Sequence, residues 1–297
     1  MAVHIKELTP GFVGEVSGVD LTKPLTPEEA QAIDAGMDRL AVLVFHDQPV
    51  TDEQQVAFSL NFGQLERPDN KSNITKAQDR RLSPDLADIS NLDRENRLHG
   101  RDDRQRLFNL GNRLWHSDSS FRATPAKYSL LSGRIVPAEG GDTEFADMRQ
   151  AYDALDAKTK AEVEHLICEH SLLYSRGALG FDDDLTEDEK QGFRPVRQSL
   201  VRVHPKSGRK SLYLSAHAGR IVGMPTPEAR IFLRELNEQA TKPPFVYAHK
   251  WRAGDIVMWD NRQTMHRARP FDDVGQVRDM RRTTIAGEAM TAEQIAA

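Results

Sequence analysis

Apolar positions along this chain come in short runs separated by turn-forming residues, and only a few stretches show the 3.6-residue spacing of a helix. The runs at 12–19, 41–45, 86–90, 127–136, 171–174, 199–204, 210–215, 245–251, 256–259 and 282–285 predict β-strands. Val201 and Val203 alternate with polar neighbours, and Pro205-Lys206-Ser207-Gly208-Arg209 supplies the turn of a hairpin into the run at 210–215. Helix starts are marked by caps. Thr26-Pro27-Glu28-Glu29 offers a hydroxyl to free amides, a proline at the first helical position and a carboxylate at the third. Thr51-Asp52-Glu53-Gln54 repeats the box and runs to a stop at Gly63, and Thr226-Pro227-Glu228 opens a helix that Pro243-Pro244 ends. A further helical pattern covers 158–168. Many short strands with helices around them predict an α+β fold on a β-sandwich core.

No repeat, low-complexity tract or linker interrupts the pattern, so residues 1–297 read as a single domain. The stretches 70–81 and 177–192 lack periodicity and read as mobile loops of the lid or binding type. The acidic run at 182–189 reads as a solvated surface or a helix N-terminus.

Composition narrows the function classes. Lys plus Arg total 40 against 45 Asp plus Glu, a net charge of −5 with both signs interspersed, which excludes a basic nucleic-acid footprint and argues against an anionic-membrane binder. With 38% hydrophobic residues the chain can form a sizeable core. The longest plain apolar run, 41–45, is far short of the ~18 residues of a membrane span. The N-terminus lacks a signal layout, so a cytoplasmic protein is expected. Cys168 is the single cysteine and rules out an intrachain disulfide or a cysteine-rich metal framework. Its neighbours His165 and His170 share a stretch with Val163, Leu166 and Ile167 and read as core or surface.

The chemistry gathers around Trp115-His116-Ser117-Asp118. On extended backbone, residues two apart point to one face, so the His116 imidazole and the Asp118 carboxylate can converge on one ion. Trp259-Asp260-Asn261-Arg262 leads into His266, a third candidate ligand. Two imidazoles and one carboxylate on one face of an octahedron leave positions open for a co-substrate and dioxygen, the arrangement of non-haem Fe(II) oxygenases. Arg278 and Arg282, four apart, place two guanidiniums beside this set, each able to clamp a carboxylate. Their alternative is a charged strand edge paired with Asp272, Asp273 and Asp279.

Taken together, His116-x-Asp118, Gly140-Gly141-Asp142-Thr143-Glu144-Phe145, Trp259-Asp260-Asn261-Arg262, His266, and Arg278 followed by Arg282-Thr283-Thr284 resemble the Fe(II)- and 2-oxoglutarate-dependent taurine dioxygenase/TfdA family. The segments 114–121, 147–155 and Ala216-His217-Ala218 are similar to members acting on phenoxyalkanoates, and the match covers roughly residues 13–285. The resemblance implies a double-stranded β-helix, or jelly roll, with flanking helices. It implies Fe(II) on His116, Asp118 and His266, and 2-oxoglutarate bound through Arg278 and the Thr143 hydroxyl, with dioxygen as the second co-substrate. Trp259 and Asn112 would line the cavity, Arg282 would bind the substrate's acidic group, and His217 matches a histidine implicated in substrate binding. His266 and Arg278 are 12 apart, one more than the family pattern, which implies an added loop residue at 272–276. Substrate contacts expected at 70–81 assign neither Lys71 nor Lys76. The implied reaction is oxidation of a phenoxyalkanoate such as 2,4-dichlorophenoxyacetate next to its ether oxygen, by a homo-oligomer with no nucleic-acid or membrane partner. A sulfonate, an alkyl sulfate or another small acid is the alternative substrate. A non-catalytic metal-binding jelly roll and a zinc hydrolase are the alternatives in other classes.

Overall fold

The computed structural model describes residues 2–67 and 73–294. Its largest sheet has seven strands in the order His4–Thr9, Val13–Ser17, Val42–Phe45, Ile256–Asp260, Tyr128–Ile135, Asp279–Thr284 and Ala87–Asp88. Neighbours run antiparallel except Val13–Ser17 and Val42–Phe45, which are parallel. Alternation along these strands builds two apolar layers. Val42, Val44, Val257 and Trp259 pack on one side with Phe145 and Met280. Leu43, Phe45, Ile256 and Met258 pack on the other with Ile33, Met37 and Phe58 of the helices Pro27–Leu40 and Asp52–Leu60. Phe145 comes from a three-stranded sheet ordered Val246–His249, Thr143–Asp147 and Thr264–Ala268, so this small sheet lies over the inner face of the large one. A second three-stranded sheet joins Ala218–Ile221, Ile167–His170 and Val196–Ser199.

Both predicted capping boxes, at Thr26 and Thr51, are present with reciprocal hydrogen bonds. The hairpin also forms, with Val201–Val203 antiparallel to Lys210–Leu212. The acidic run supplies the first turn of helix Glu187–Gly192, capped by Thr186, so part of 177–192 is regular. Three expectations need correction. The helical pattern at 158–168 stops at Val163, and Ile167–His170 is a strand with Cys168 buried in it. The run at 171–174 is helix rather than strand, because the Ser171 hydroxyl caps the amide of Leu173 and starts Leu172–Gly177. Helix Thr226–Ala240 begins one residue earlier than its caps suggest, with no side-chain cap at all.

Candidate metal centre and its pockets

The two histidines are brought together by the backbone. His116 and His266 form an isolated antiparallel bridge in which each amide donates to the other's carbonyl, at 3.0 and 2.8 Å. This pairing extends the small sheet by one residue and puts the rings side by side, their centroids 4.2 Å apart. The His116 Nδ1 lies 2.7 Å from the Leu114 carbonyl, which can only accept, so Nδ1 carries the proton and the Nε2 lone pair is free. Two residues on, Asp118 places its carboxylate oxygens 3.9 Å from His116 Nε2 and 3.8 Å from His266 Nε2. Among the described residues this is the one cluster of three such donors, all within 4.8 Å of one another and all buried.

The electrostatics suit a cation. Burial pushes both imidazoles down, His266 well below the usual range, so they stand neutral and able to ligate. Burial alone would raise the Asp118 carboxyl, but the Arg282 guanidinium, both imidazoles and the Ser129 hydroxyl hold it at about 2. The carboxylate is oriented by a polar chain. Ser129 donates to it at 2.7 Å, Asn261 Nδ2 donates to Ser129 at 2.9 Å, and Asn261 Oδ1 accepts from the Asp118 amide at 3.1 Å. Such partners of a metal ligand fix its direction. Ser119 follows with φ of +54°, a left-handed turn that sends the chain away from the ligand, and its hydroxyl donates to Glu66 at 2.5 Å.

Trp259 does not line a cavity. It is fully buried, because both faces of its strand are covered, and its indole N–H donates to Asn261 Oδ1 at 3.0 Å. Its ring lies 4.7 Å from that of His266, so it packs against one candidate ligand and hydrogen-bonds the Asn261 that supports another.

Arg278 and Arg282 open onto different cavities, since the ladder register shifts between Asp279 and Met280. Arg278 borders a cavity of 70 Å³ and is buried with no carboxylate partner among the described residues. Its guanidinium donates only to the carbonyls of Ile89 and Gly141, both at 3.3 Å. Burial lowers its pKa to about 10, so it remains a cation at neutral pH. Gly141, at φ +73°, permits this approach, because a Cβ there would lie 2.9 Å from the Pro137 ring and 3.4 Å from Arg278 Nε. Gly141→Ala is therefore expected to displace the guanidinium and weaken 2-oxoglutarate binding several-fold, read by titration of the anaerobic Fe(II) protein. Thr143 pairs in register with Ala268, which borders the same cavity. The Thr143 oxygen accepts from the Trp251 indole at 2.9 Å, leaving its proton to donate. The charged-edge alternative fails, because Asp273 is taken by Arg106 and Arg113, and Asp279 by Arg81 and Arg281.

The larger cavity, 540 Å³, reaches His116, Asp118, Arg282 and His217. Arg282 donates through Nη1 to Asp118, while its Nε is buried without a partner. Asn112 stands at the border of both cavities. His217 is buried, 2.9 Å from the Ser175 hydroxyl, with its ring 5.9 Å from that of His116. From 70–81, Ile74 lines the wall, Lys76 is exposed, and Lys71 lies outside the described residues. Sequence reasoning missed Arg176, Phe108 and Glu66 on this wall. Nothing in their local patterns marks them.

The donor set of two neutral imidazoles and one carboxylate fits Fe(II), and the buried Arg278 guanidinium fits the far carboxylate of 2-oxoglutarate. Comparison with known proteins agrees. The family model for taurine catabolism dioxygenase TauD, TfdA family, matches residues 4–284. The alpha-ketoglutarate-dependent 2,4-dichlorophenoxyacetate dioxygenase of Burkholderia sp. (strain RASC) is 45% identical over 287 residues, 97% of this chain and 95% of that one. The (S)-phenoxypropionate/alpha-ketoglutarate-dioxygenase of Sphingobium herbicidovorans is 37% identical, covering 99% of each. The crystal structure of AAD-2 in complex with Mn(II) and N-oxalylglycine superposes with a TM-score of 0.95 at 60% identity, over 98% of this chain and 100% of that one. The zinc hydrolase and the non-catalytic jelly roll are thereby set aside. This chain belongs to the TauD, TfdA family and is an Fe(II)- and 2-oxoglutarate-dependent dioxygenase.

Proposed function

We propose that the enzyme oxidises the carbon beside the ether oxygen of a phenoxyalkanoate such as 2,4-dichlorophenoxyacetate. For that substrate the products are the phenol and glyoxylate, while 2-oxoglutarate gives succinate and carbon dioxide. The observation that carries the reading is the two-sided cavity at the metal triad. Arg282 lines it beside Asp118, and Phe108, Phe121 and Leu172 add apolar wall that suits an aryl ring. A molecule with an acidic head and an aromatic tail matches both kinds of lining.

His116, Asp118 and His266 would hold the iron, and Arg278 with Thr143 the co-substrate. When bound, Fe(II), 2-oxoglutarate and dioxygen supply the oxidising power that turns the nearest C–H into C–OH. The protein's part is to choose that bond. Arg282 keeps Nη1 on Asp118 and offers its unpartnered Nε to the substrate carboxylate, holding the adjacent methylene at the triad. His217 lies within the same cavity, and Asn112 separates the two compartments. Hydroxylation at the methylene makes a hemiacetal, which collapses to phenol and aldehyde. The same reading takes the seven-stranded and three-stranded sheets as the walls of one jelly-roll domain, since the large sheet joins strands from 4–9 and 279–284. It also takes the enzyme as a cytoplasmic homo-oligomer. Among the described residues no helix is long and apolar enough to cross a membrane.

Wild-type enzyme with Fe(II), 2-oxoglutarate and 2,4-dichlorophenoxyacetate is expected to consume oxygen and release succinate and 2,4-dichlorophenol in equal amounts. The methyl ester should be a poor substrate. Arg282→Lys should release succinate in excess of phenol, because a point charge positions the methylene less strictly than a planar fork. Equal cleavage of acid and ester would exclude an acid-reading cavity. Succinate formation with an alkyl sulfate or a sulfonate, and none with any phenoxyalkanoate, would move the assignment to that substrate class.

A further inference from the structure

The larger cavity contains a second buried guanidinium that neither sequence spacing nor the triad accounts for. Arg176 is 5% exposed and lies on helix Leu172–Gly177. Its Nη1 donates to the Ser175 hydroxyl at 3.0 Å, and its Cζ sits 4.2 Å from the centre of the Phe108 ring. No carboxylate pairs with it among the described residues, and its Nε is buried without a hydrogen-bond partner. A cation–π contact gives the charge an apolar seat but no acceptor for the remaining N–H groups. Burial lowers the pKa only to about 10, so the group stays charged at neutral pH. A buried, unpaired cation facing a cavity is costly unless a ligand completes it.

Other features hold the guanidinium in this place. Gly111 leaves the space it occupies, since a Cβ there would lie 2.3 Å from Cζ. Ser175 holds one end, and the same hydroxyl is 2.9 Å from His217 Nδ1, which ties the arginine to an imidazole next to His116. Among the described residues neither Nε nor Nη2 makes a hydrogen bond, and the edge they form matches the two oxygens of a carboxylate.

We propose that Arg176 is a second substrate anchor, whose Nε–Nη2 edge receives the carboxylate of the phenoxyalkanoate while Arg282 contributes its single Nε hydrogen bond. This rests on the function proposed above for the acidic substrate. Arg176 then sets affinity for the acid and the direction of the aryl ring, which enters beside Phe108. Arg282, held on Asp118, tunes the distance of the methylene from the metal.

Steady-state kinetics on Arg176→Gln and Arg176→Lys test this, with 2-oxoglutarate titrated separately into each anaerobic Fe(II) protein. Losing a charge-assisted pair is expected to raise the apparent KM for 2,4-dichlorophenoxyacetate about ten- to hundredfold in Arg176→Gln. The 2-oxoglutarate midpoint should stay unchanged, Arg176→Lys should recover part of the loss, and the preference for acid over methyl ester should shrink. Ser175→Ala, which frees Nη1 without removing the charge, should raise KM less and serves as the folded control if Arg176→Gln unfolds. An unchanged KM in Arg176→Gln, with or without a lower melting temperature, would overturn the proposal and leave the arginine a purely structural cation. If wild-type enzyme acts on an alkyl sulfate or sulfonate and on no phenoxyalkanoate, the substrate assignment fails separately. The same Arg176 comparison on that anion then decides the anchor.

Discussion

Alanine at His116 or His266, or asparagine at Asp118, is expected to abolish coupled succinate formation while the fold survives. Removing an outer hydrogen-bond partner of a metal ligand typically costs about 10- to 100-fold, so losing a ligand itself should exceed that range. The choice of asparagine at Asp118 follows from its surroundings. Its carboxylate is 4% exposed and is the partner of Arg282, Ser129 and the Asn261 chain. Removing one member of a buried ion pair costs roughly 3 to 5 kcal/mol, so Asp118→Ala mixes unfolding with loss of metal. Asparagine keeps the shape and a carbonyl acceptor. The histidine replacements remove neutral rings and leave the backbone bridge between residues 116 and 266, which depends on amides rather than imidazoles. Circular dichroism should show the native spectrum, and Mn(II) binding followed by electron paramagnetic resonance should be lost. Tight Mn(II) binding together with wild-type turnover in any of the three would refute the ligand assignment.

How far this centre was legible in the sequence depends on the range of the interactions that build it. The spacing His116-x-Asp118 is local, and it marked two donors on one face even though the segment is a single bridge residue entering a turn rather than a strand. His266 and the arginine pair were drawn in by several motifs in order, none decisive alone. The strands at 42–45, 128–135 and 256–260 are readable because apolar residues cluster in them between turn formers. The strand Thr143–Asp147 is absent from the sequence reading, since it follows the turn formers Gly140-Gly141 and only Phe145 and Ala146 in it are apolar. The apolar run at 171–174 predicts a strand, yet a capping serine outweighs it and starts helix Leu172–Gly177. Trp259 looked like a cavity residue from its place beside Asp260-Asn261, yet both faces of its strand are covered by packing that no local pattern reports. Arg176 stayed invisible for the same reason. Its isolation from carboxylates is a property of the folded chain, as the Asp182 that follows it six residues later lies near Gly177 instead.

Arg278→Ala is expected to weaken 2-oxoglutarate binding by about ten- to hundredfold, the equivalent of the roughly 1.5 to 3 kcal/mol of a hydrogen bond to a charged group. The estimate rests on how little else competes for this guanidinium. Among the described residues its guanidinium donates to two carbonyl oxygens, both at 3.3 Å, near the long end of the hydrogen-bond range, so the native pairing without ligand is weak. Its position is nonetheless fixed from behind. Asn91 accepts the Arg278 amide at 2.8 Å and donates to the carbonyls of Asp273 and Gln276, which clasps the loop that follows His266. Held in this way, Arg278 borders the same cavity as Ala268. Because the unliganded group is an uncompensated buried cation, its removal should not destabilise the protein in the way loss of a paired arginine would, and Arg278→Ala is expected to melt at or above the wild-type temperature. Affinity and stability thus move in opposite directions, a signature that a structural ion pair cannot give. Titration of 2-oxoglutarate into the anaerobic Fe(II) protein reads the first through charge-transfer absorbance, and thermal unfolding without co-substrate reads the second. A midpoint unchanged from wild type would place the far carboxylate on another residue, and a large drop in melting temperature would show that Arg278 has a protein partner in solution.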